Sequence, residues 1–542
     1  MQALLAALPI LLVLALMLGL GWPASRAGIA GAALALLVAL VGFGFGTDVL
    51  ADVGIGGGLL GVVAEATWTS ATILWIILPA LAIYHLQVAT GGTDVLRVAL
   101  GRLSDDPRIM ALLIAWFFTL FLEGGAGFGS PVALAAPFLV GVGYKPLTAV
   151  VIAMIGNAVG VSFGAIGTPV VPMVAATGLE PLELAGASAT YHLAFGLLPL
   201  IFMMYLASKG TGTRMVGAIW GWTLLAGAAF LVPMWLIATF VGPELPTLGG
   251  ALVGMGIFVA VLLLVRRGDD DPGDVRATVD AAGAADGAAD GDGDGEADGE
   301  ADGEPLPDPD EVPTDVAALL RAGSPYLILI SLVLVTRLVP AVADALALVE
   351  LDWTLDGGFS GGIVLLTHPG TLLVVSFLLG AVVQGALGRT AAGAVRTTLK
   401  QLIPVTIALL AMLLLARLMV RSGMTEALAE AAAGSAASIW PVLAPLVGVL
   451  GTFVTGSGTA SNVLFTDLQL ATAEQLGYDP LPLLGAQNFG ASVGNQIAPH
   501  NIVAGGATVG LTGGEADVMR RTIGIALVYG LLGGLLALLL VG

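Results

Sequence analysis

A chain of 542 residues that is 57% hydrophobic and only 11% charged lies far from the soluble norm of roughly half apolar and a quarter charged. No soluble fold hides that much apolar sequence, and the absence of cysteine excludes disulfides, thiolate metal sites and a cysteine nucleophile. The formal charge of −20 is local: Asp269 to Asp315 holds 18 acids and one base, Arg276, leaving 21 acids against 18 bases elsewhere.

In chain order, Ala3 to Leu20 and Ala30 to Val41 are the first of many runs that approach or reach the ~20 apolar residues needed to cross a bilayer core. The first has no basic start and many equals after it, which predicts a permanent span and not a cleaved signal. Gly249 to Val265, Leu402 to Val420 and Ile523 to Val541 extend the series, and the shorter apolar run Trp116 to Leu122 leads into Glu123. These runs are apolar on every face, where barrel strands would alternate over ~10 residues, so helices are expected. The 77 glycines suit helices packed backbone to backbone or broken in the membrane. Gly268 to Thr314, with its GDGDGEADGEADGE repeat, has too little apolar surface to order itself and predicts a disordered acidic linker. The expected domains are therefore a first transmembrane half over 1–267, the linker over 268–315 and a second half over 316–542.

Each half contains one long Gly/Ser/Thr/Asn-rich stretch set in apolar sequence, Phe121 to Val170 and Phe453 to Val503. Aligning Gly143, Tyr144, Pro146 and Leu147 with Gly477, Tyr478, Pro480 and Leu481 also places Gly156 on Gly490 and Gly160 on Gly494. A two-residue gap then matches Phe121 and Gly124 to Phe453 and Gly456. Duplicated halves mark many secondary transporters. Basic residues favour cytoplasmic loops, and counting them with the N-terminus outside and a re-entrant hairpin near residues 128 to 142 demands one further crossing between 121 and 178. The linker is then cytoplasmic, the first half crosses an odd number of times, and the repeats are inverted. The fold expected is an all-α polytopic membrane protein of two related, inverted repeats, each with a re-entrant hairpin and a broken helix.

Broken helices persist in hydrocarbon only where protein or an aqueous cavity satisfies their freed backbone groups. Ser130, Asn157, Ser162 and Thr168 in the first stretch bring hydroxyls and amides to that depth, as do Thr455, Ser457, Thr459, Ser461, Asn462, Asn488 and Asn495 in the second. Half-helix N-termini among them would attract a carboxylate. Each single Ser or Thr also fits plain helix-to-helix glue; the paired clusters favour a substrate site.

The runs EGGAGFGSPVALAAPFLVG, NAVGVSFGAIGTPV, SGMT at Ser422 to Thr425 and TGSGTASNVLF resemble the L-lactate permease family, in the same order and over most of the chain except the linker. The resemblance implies uptake of lactate and glycolate with a coupling cation, usually a proton, and an ion-transporter-superfamily fold with hairpins and broken helices around a central site. The chain departs from the family where it has Gly458 in place of a frequent acid and Asn495 in place of a frequent lysine.

A charge inside the membrane is a functional candidate by default. Glu123, opening the first polar stretch, is a candidate to carry the coupling proton or cation; the alternative is a buried partner for a structural base. His500, after Pro499, is a second candidate because histidine titrates near neutrality. Arg417 could grip a carboxylate through two parallel hydrogen bonds, although it and Arg337 also suit snorkelling to headgroups. His85, His192 and His368 fit interface or helix-end positions, and Lys145 and Asp479 fit water-facing turns.

A secondary carrier for a small monocarboxylate, coupled to H+ or Na+ and embedded in a lipid bilayer, accounts best for this set. A symporter of another organic anion, such as a dicarboxylate, is the runner-up, and it would want more cationic ligands. No GxxxxGKS/T loop for ATP appears, no HExxH or Asp/His cluster for a metal enzyme, and nothing calls for a cofactor or for nucleic acid. An anion channel would need a continuous pore. Monomer and homodimer both stay open.

Overall fold

The computed structural model describes residues 2–20, 22–127, 130–266, 312–511 and 514–541. The linker expected over 268–315 lies outside the described residues except for its last four. The fold is helical, and among the described residues eight helices are long and apolar enough to cross a membrane, from Ala24–Gly42 to Glu515–Val541. Two bent pairs, Pro146–Asn157 with Val161–Gly167 at 57° and Pro181–Phe195 with Leu197–Gly210 at 45°, raise the count to ten. Side chains such as Leu37, Phe240, Leu264 and Leu539 point outward, as lipid-facing residues should. The chain is a multi-pass membrane protein.

A small β-hairpin, Glu350–Leu355 paired antiparallel with Phe359–Val364, adds strands that the all-α expectation did not include. Gly357 and Gly358 take the positive φ its tight turn needs, at 83° and 74°. The hairpin marks one end of the bundle: buried Phe359 presses on Gly61, and Trp353 meets Trp68 edge-on. At the opposite end Gln384 donates to the Gln87 side chain at 2.8 Å, Arg102 donates to Thr314, and Arg108 donates to the Arg214 carbonyl at 3.3 Å. The helices Gly54–Ala89 and Arg389–Arg421 join the two ends, each about 50 Å long at 1.5 Å per residue.

Two helical hairpins point inward from these opposite ends. The first consists of Pro107–Gly125, containing the π-helical turn Leu112–Phe118, and Ser130–Gly141; the Tyr144 hydroxyl donates to the Pro107 carbonyl at 2.9 Å and ties its feet together. The second consists of Trp440–Thr455 and Gly458–Leu476, with Trp440 Nε1 donating to Gln469 Oε1 at 3.1 Å. Its outer residue Gln475 borders the same cavity as Ser422 and the loop around Thr47, at the β-hairpin end.

After each hairpin comes an interrupted helix. Pro146–Asn157 gives way to the 3-10 turn Val161–Phe163, and Pro480–Gly494 to the 3-10 turn Asn495–Ile497 before Pro499–Ala507. A proline at the first helical position starts both, where its missing N–H costs nothing. Lys145 and Asp479 precede these prolines and are exposed. The aligned glycines do the same work in both halves: a Cβ on Gly156 would stand 1.8 Å from the Ala115 carbonyl oxygen, and one on Gly490 would stand 1.9 Å from that of Pro445. Each interrupted helix thus lies backbone against backbone on the hairpin before it.

Candidate functional site

The two hairpin tips and the two interruptions converge on one cavity with roughly 350 Å³ of empty space. The first tip contributes Glu123 and Gly127, the first interruption Val161, Gly164, Ala165, Thr168 and Pro169. The second tip contributes Gly456 to Thr459, and the second interruption Asn495.

Sequence sets the local geometry. Gly456, in the left-handed region at φ 71°, ends one arm of the second hairpin and lets Ser457 start the next. The Ser457 hydroxyl accepts from the Ala460 amide at 3.4 Å, which leaves the first amides of Gly458–Leu476, those of Gly458 and Thr459, at the cavity wall. A helix start has no intrahelical acceptors for such amides and carries the positive end of its dipole. On the facing wall Ala165, Ile166 and Gly167 run left-handed at φ 44°, 57° and 75°. For a residue with a Cβ this costs about 1–2 kcal/mol, and strain of this kind collects at working sites. The Thr168 hydroxyl closes the turn by donating to the Ala165 carbonyl, and Gly167 lies so close to Pro243 that a Cβ would stand 2.3 Å from its oxygen.

Glu123 is buried in the last turn of its helix, and its Oε2 accepts from Asn157 Nδ2 at 2.8 Å. Its Oε1 stands where a Cβ on Gly164 would come within 2.1 Å, so only glycine fits there. Asn157 Oδ1, also buried, has no hydrogen-bond partner among the described residues. Among the described residues no basic side chain lines the cavity. The site therefore offers one carboxyl, a helix N-terminus, hydroxyls and amides.

The structure divides the sequence-based candidates. Glu123, Thr168, Ser457, Thr459 and Asn495 line the cavity, and Asn157 holds Glu123. Thr455 donates to the Gly451 and Ser457 carbonyls, at 2.8 and 3.1 Å, beneath the tip. Ser461 donates to the Gly448 carbonyl at 2.9 Å. Asn462 bridges the Pro169 carbonyl and Asn488 Oδ1, both at 2.9 Å. Asn488 donates in turn to Ser188 at 3.0 Å and to the Ser162 carbonyl at 3.3 Å. His500 is exposed just outside the wall, its Cβ 3.1 Å from where one on Gly456 would be. Arg417 is not a lining residue and donates to the Ala175 carbonyl at 3.4 Å. The side chains of Ser130 and Arg337 lie outside the described residues.

Behind the cavity runs a buried polar chain that joins the candidates Ser162, Ser461 and Asn462 to Gln469, Gln487, His192 and Tyr529, which sequence reasoning missed or set aside. Gln469 donates to Gln487, Gln487 to Ser461 and Asn462, and Ser162 meets His192 Nε2 at 2.8 Å, with His192 Nδ1 at 2.8 Å from the Tyr529 hydroxyl. Both ring nitrogens of His192 are thereby used. The residues come from both halves of the chain, and each glutamine alone looks like an ordinary helix residue. Only their shared burial could have singled them out.

Residues 2–542 match the family model described as L-lactate permease. The glycolate permease GlcA of Escherichia coli K12 is 29% identical over 99% of this chain and 95% of its own length. An L-lactate permease of the same organism is 30% identical over 84% of this chain and 82% of its own. The solved structure of Neisseria gonorrhoeae MtrF covers 96% of this chain and 95% of its own at 15% identity and a TM-score of 0.49, too loose a likeness to carry an argument.

Proposed function

We propose, from the premise that this chain belongs to the L-lactate permease family, that it takes up lactate, glycolate and similar short 2-hydroxy monocarboxylates with a proton, at the cavity between the two hairpin tips. As a member of that family it is a transporter and not an enzyme. The observation that carries the site is the meeting of Glu123 with the N-terminus of Gly458–Leu476 in one cavity that, among the described residues, has no basic side chain.

The substrate carboxylate sits on the Gly458 and Thr459 amides, where a helix dipole favours an anion, with the Ser457 and Thr459 hydroxyls beside it. Thr168 and Asn495 face the substrate hydroxyl. Two unit charges of one sign a few ångströms apart repel by several kcal/mol in a medium of low dielectric. An anion therefore shares this cavity with Glu123 only when Glu123 carries a proton. Substrate and proton load together, and coupling follows from electrostatics. A dianion would bring a second charge that nothing on these walls offsets, so the monocarboxylate is preferred to the dicarboxylate. The opposed entry of the hairpins and the shared role of Gly156 and Gly490 support two inverted repeats around this site.

Labelled L-lactate uptake into proteoliposomes under imposed pH or sodium gradients tests the proposal. Uptake should follow the pH gradient and ignore sodium, and Glu123→Gln should respond to pH less steeply than the unsubstituted protein; an unaltered response would remove Glu123 from the coupling. Uptake by the unsubstituted protein that ignores both gradients rejects symport.

A further inference from the structure

We propose that Asp467 is a second proton-binding carboxyl, distinct from Glu123, so that each monocarboxylate crosses with two protons; this rests on the symport reading above. Asp467 lies on Gly458–Leu476, nine residues past its start and about 14 Å along the axis from the substrate cavity. It borders a separate crevice lined by Ile10, Ala416, Met419, Leu428 and Leu464, with Thr425 as a further polar group. Among the described residues its carboxyl accepts no hydrogen bond and closes no ion pair. Asp467 is half-buried there, and a carboxyl without a partner inside a membrane bundle is a functional candidate by default.

The surrounding charges do not balance it. Arg417 and Arg421 face it from Arg389–Arg421, Glu426 from Met424–Ala436 and Glu65 from Gly54–Ala89. Glu430 lies further along Met424–Ala436, while Gln2–Leu20, Val171–Thr177, Trp440–Thr455 and Pro480–Gly494 bring no titratable side chain. Arg421 is committed: it pairs with Glu65, donates to the Gly358 carbonyl at 3.1 Å and stacks on Phe359. Arg417 remains for Asp467 and Glu426 together, one cation for two acids. A proton on Asp467 removes the excess.

Protons also have a way in. At the β-hairpin end a cavity with about 1220 Å³ of empty space is lined by Asp48, Glu426 and Glu430 and, among the described residues, by no basic one. Walls of one sign raise the local concentration of counter-ions. Met424–Ala436 supplies Glu426 and Glu430 to the vestibule and Thr425 and Leu428 to the crevice, so one helix borders both. Because Asp467 and the substrate amides share one helix, a proton bound there travels with the substrate.

Charge movement is the readout. One proton with a monocarboxylate is electroneutral; two carry one net positive charge, so an inside-negative potential should drive accumulation about tenfold for each 59 mV. Full-length protein in liposomes is given a potassium diffusion potential at equal pH on both sides, and labelled L-lactate is followed. The unsubstituted protein should accumulate lactate. Asp467→Asn should lose voltage-driven accumulation yet keep uptake driven by a pH gradient, and Asp467→Glu should restore it. If the unsubstituted protein follows the pH gradient but ignores the potential, or if Asp467→Asn accumulates with voltage as before, the second proton site is wrong and the single-proton reading stands. If the pH gradient fails to drive the unsubstituted protein, both readings fall.

Discussion

Gly156 and Gly490 show what a single hydrogen atom does in this fold. Each stands where a methyl group would overlap a carbonyl oxygen of the neighbouring hairpin, and Ala115 and Pro445, which carry those oxygens, are themselves buried. Overpacking usually costs 1–3 kcal/mol, and contact with backbone belongs at the upper end. Gly156→Ala and Gly490→Ala should each lower the thermal midpoint in detergent, whereas Gly221→Ala, with nothing within 4 Å, should be neutral or raise it through better helix propensity. Equal midpoints for all three would refute the backbone contact. The alignment of these glycines was legible in the sequence because close helix contact leaves no other residue to choose. The partners they touch were not legible, since Ala115 and Pro445 carry no distinguishing chemistry. At the cavity wall, Thr459→Val should raise the KM for lactate several-fold and leave the thermal midpoint nearly unchanged, because its hydroxyl faces open space and not a protein partner.

Among the elements, Gly458–Leu476 departs furthest from the look of a membrane helix. Thr459, Ser461, Asn462, Thr466, Gln469 and Thr472 are all buried in it, so its polar groups face protein and the sequence reads as loop-like. This is why Asp467 was invisible from the sequence: an acid in a polar stretch attracts no notice, whereas Glu123 stood out against the apolar run before it. The interruptions were legible for the opposite reason, since Gly and Pro inside apolar sequence mark breaks. The left-handed run at Ala165 and Ile166 had no such mark, because neither residue favours it. Asn488 binds the second interrupted helix to the first half through Ser188 and Ser162. Inter-helix hydrogen bonds in lipid average near 0.6 kcal/mol and reach about 1.7, because an unfolded helix there also finds partners. Asn488→Ala, which loses three such bonds, should therefore cost about 1–3 kcal/mol in unfolding from detergent, with the KM for lactate little changed. A large rise in KM without loss of stability would move Asn488 into the substrate's contacts.

For the whole molecule, the two hairpins enter from opposite ends, and the charges say which end is which. Arg97, Arg102, Arg108 and Arg214 gather where Gln87 meets Gln384, and short loops rich in arginine stay in the cytoplasm. The acidic vestibule and the β-hairpin then face outward, the side from which the proposed symport would draw its proton. The bent pair Pro146–Asn157 with Val161–Gly167 lies within 121–178, the stretch in which the basic-residue count asks for a further crossing. The chain has no cysteine, so a single introduced thiol reports its own side without background. Thr47 and Asp105 are exposed at the two ends. A membrane-impermeant maleimide applied to right-side-out vesicles should label Thr47→Cys at once and Asp105→Cys only after permeabilisation. The reverse pattern would invert the molecule and put the vestibule on the cytoplasmic side, where it could not gather protons for entry. Labelling of both from one side would remove the opposed entry of the hairpins, and with it the geometry that brings Glu123 to face the Gly458 amides across the cavity.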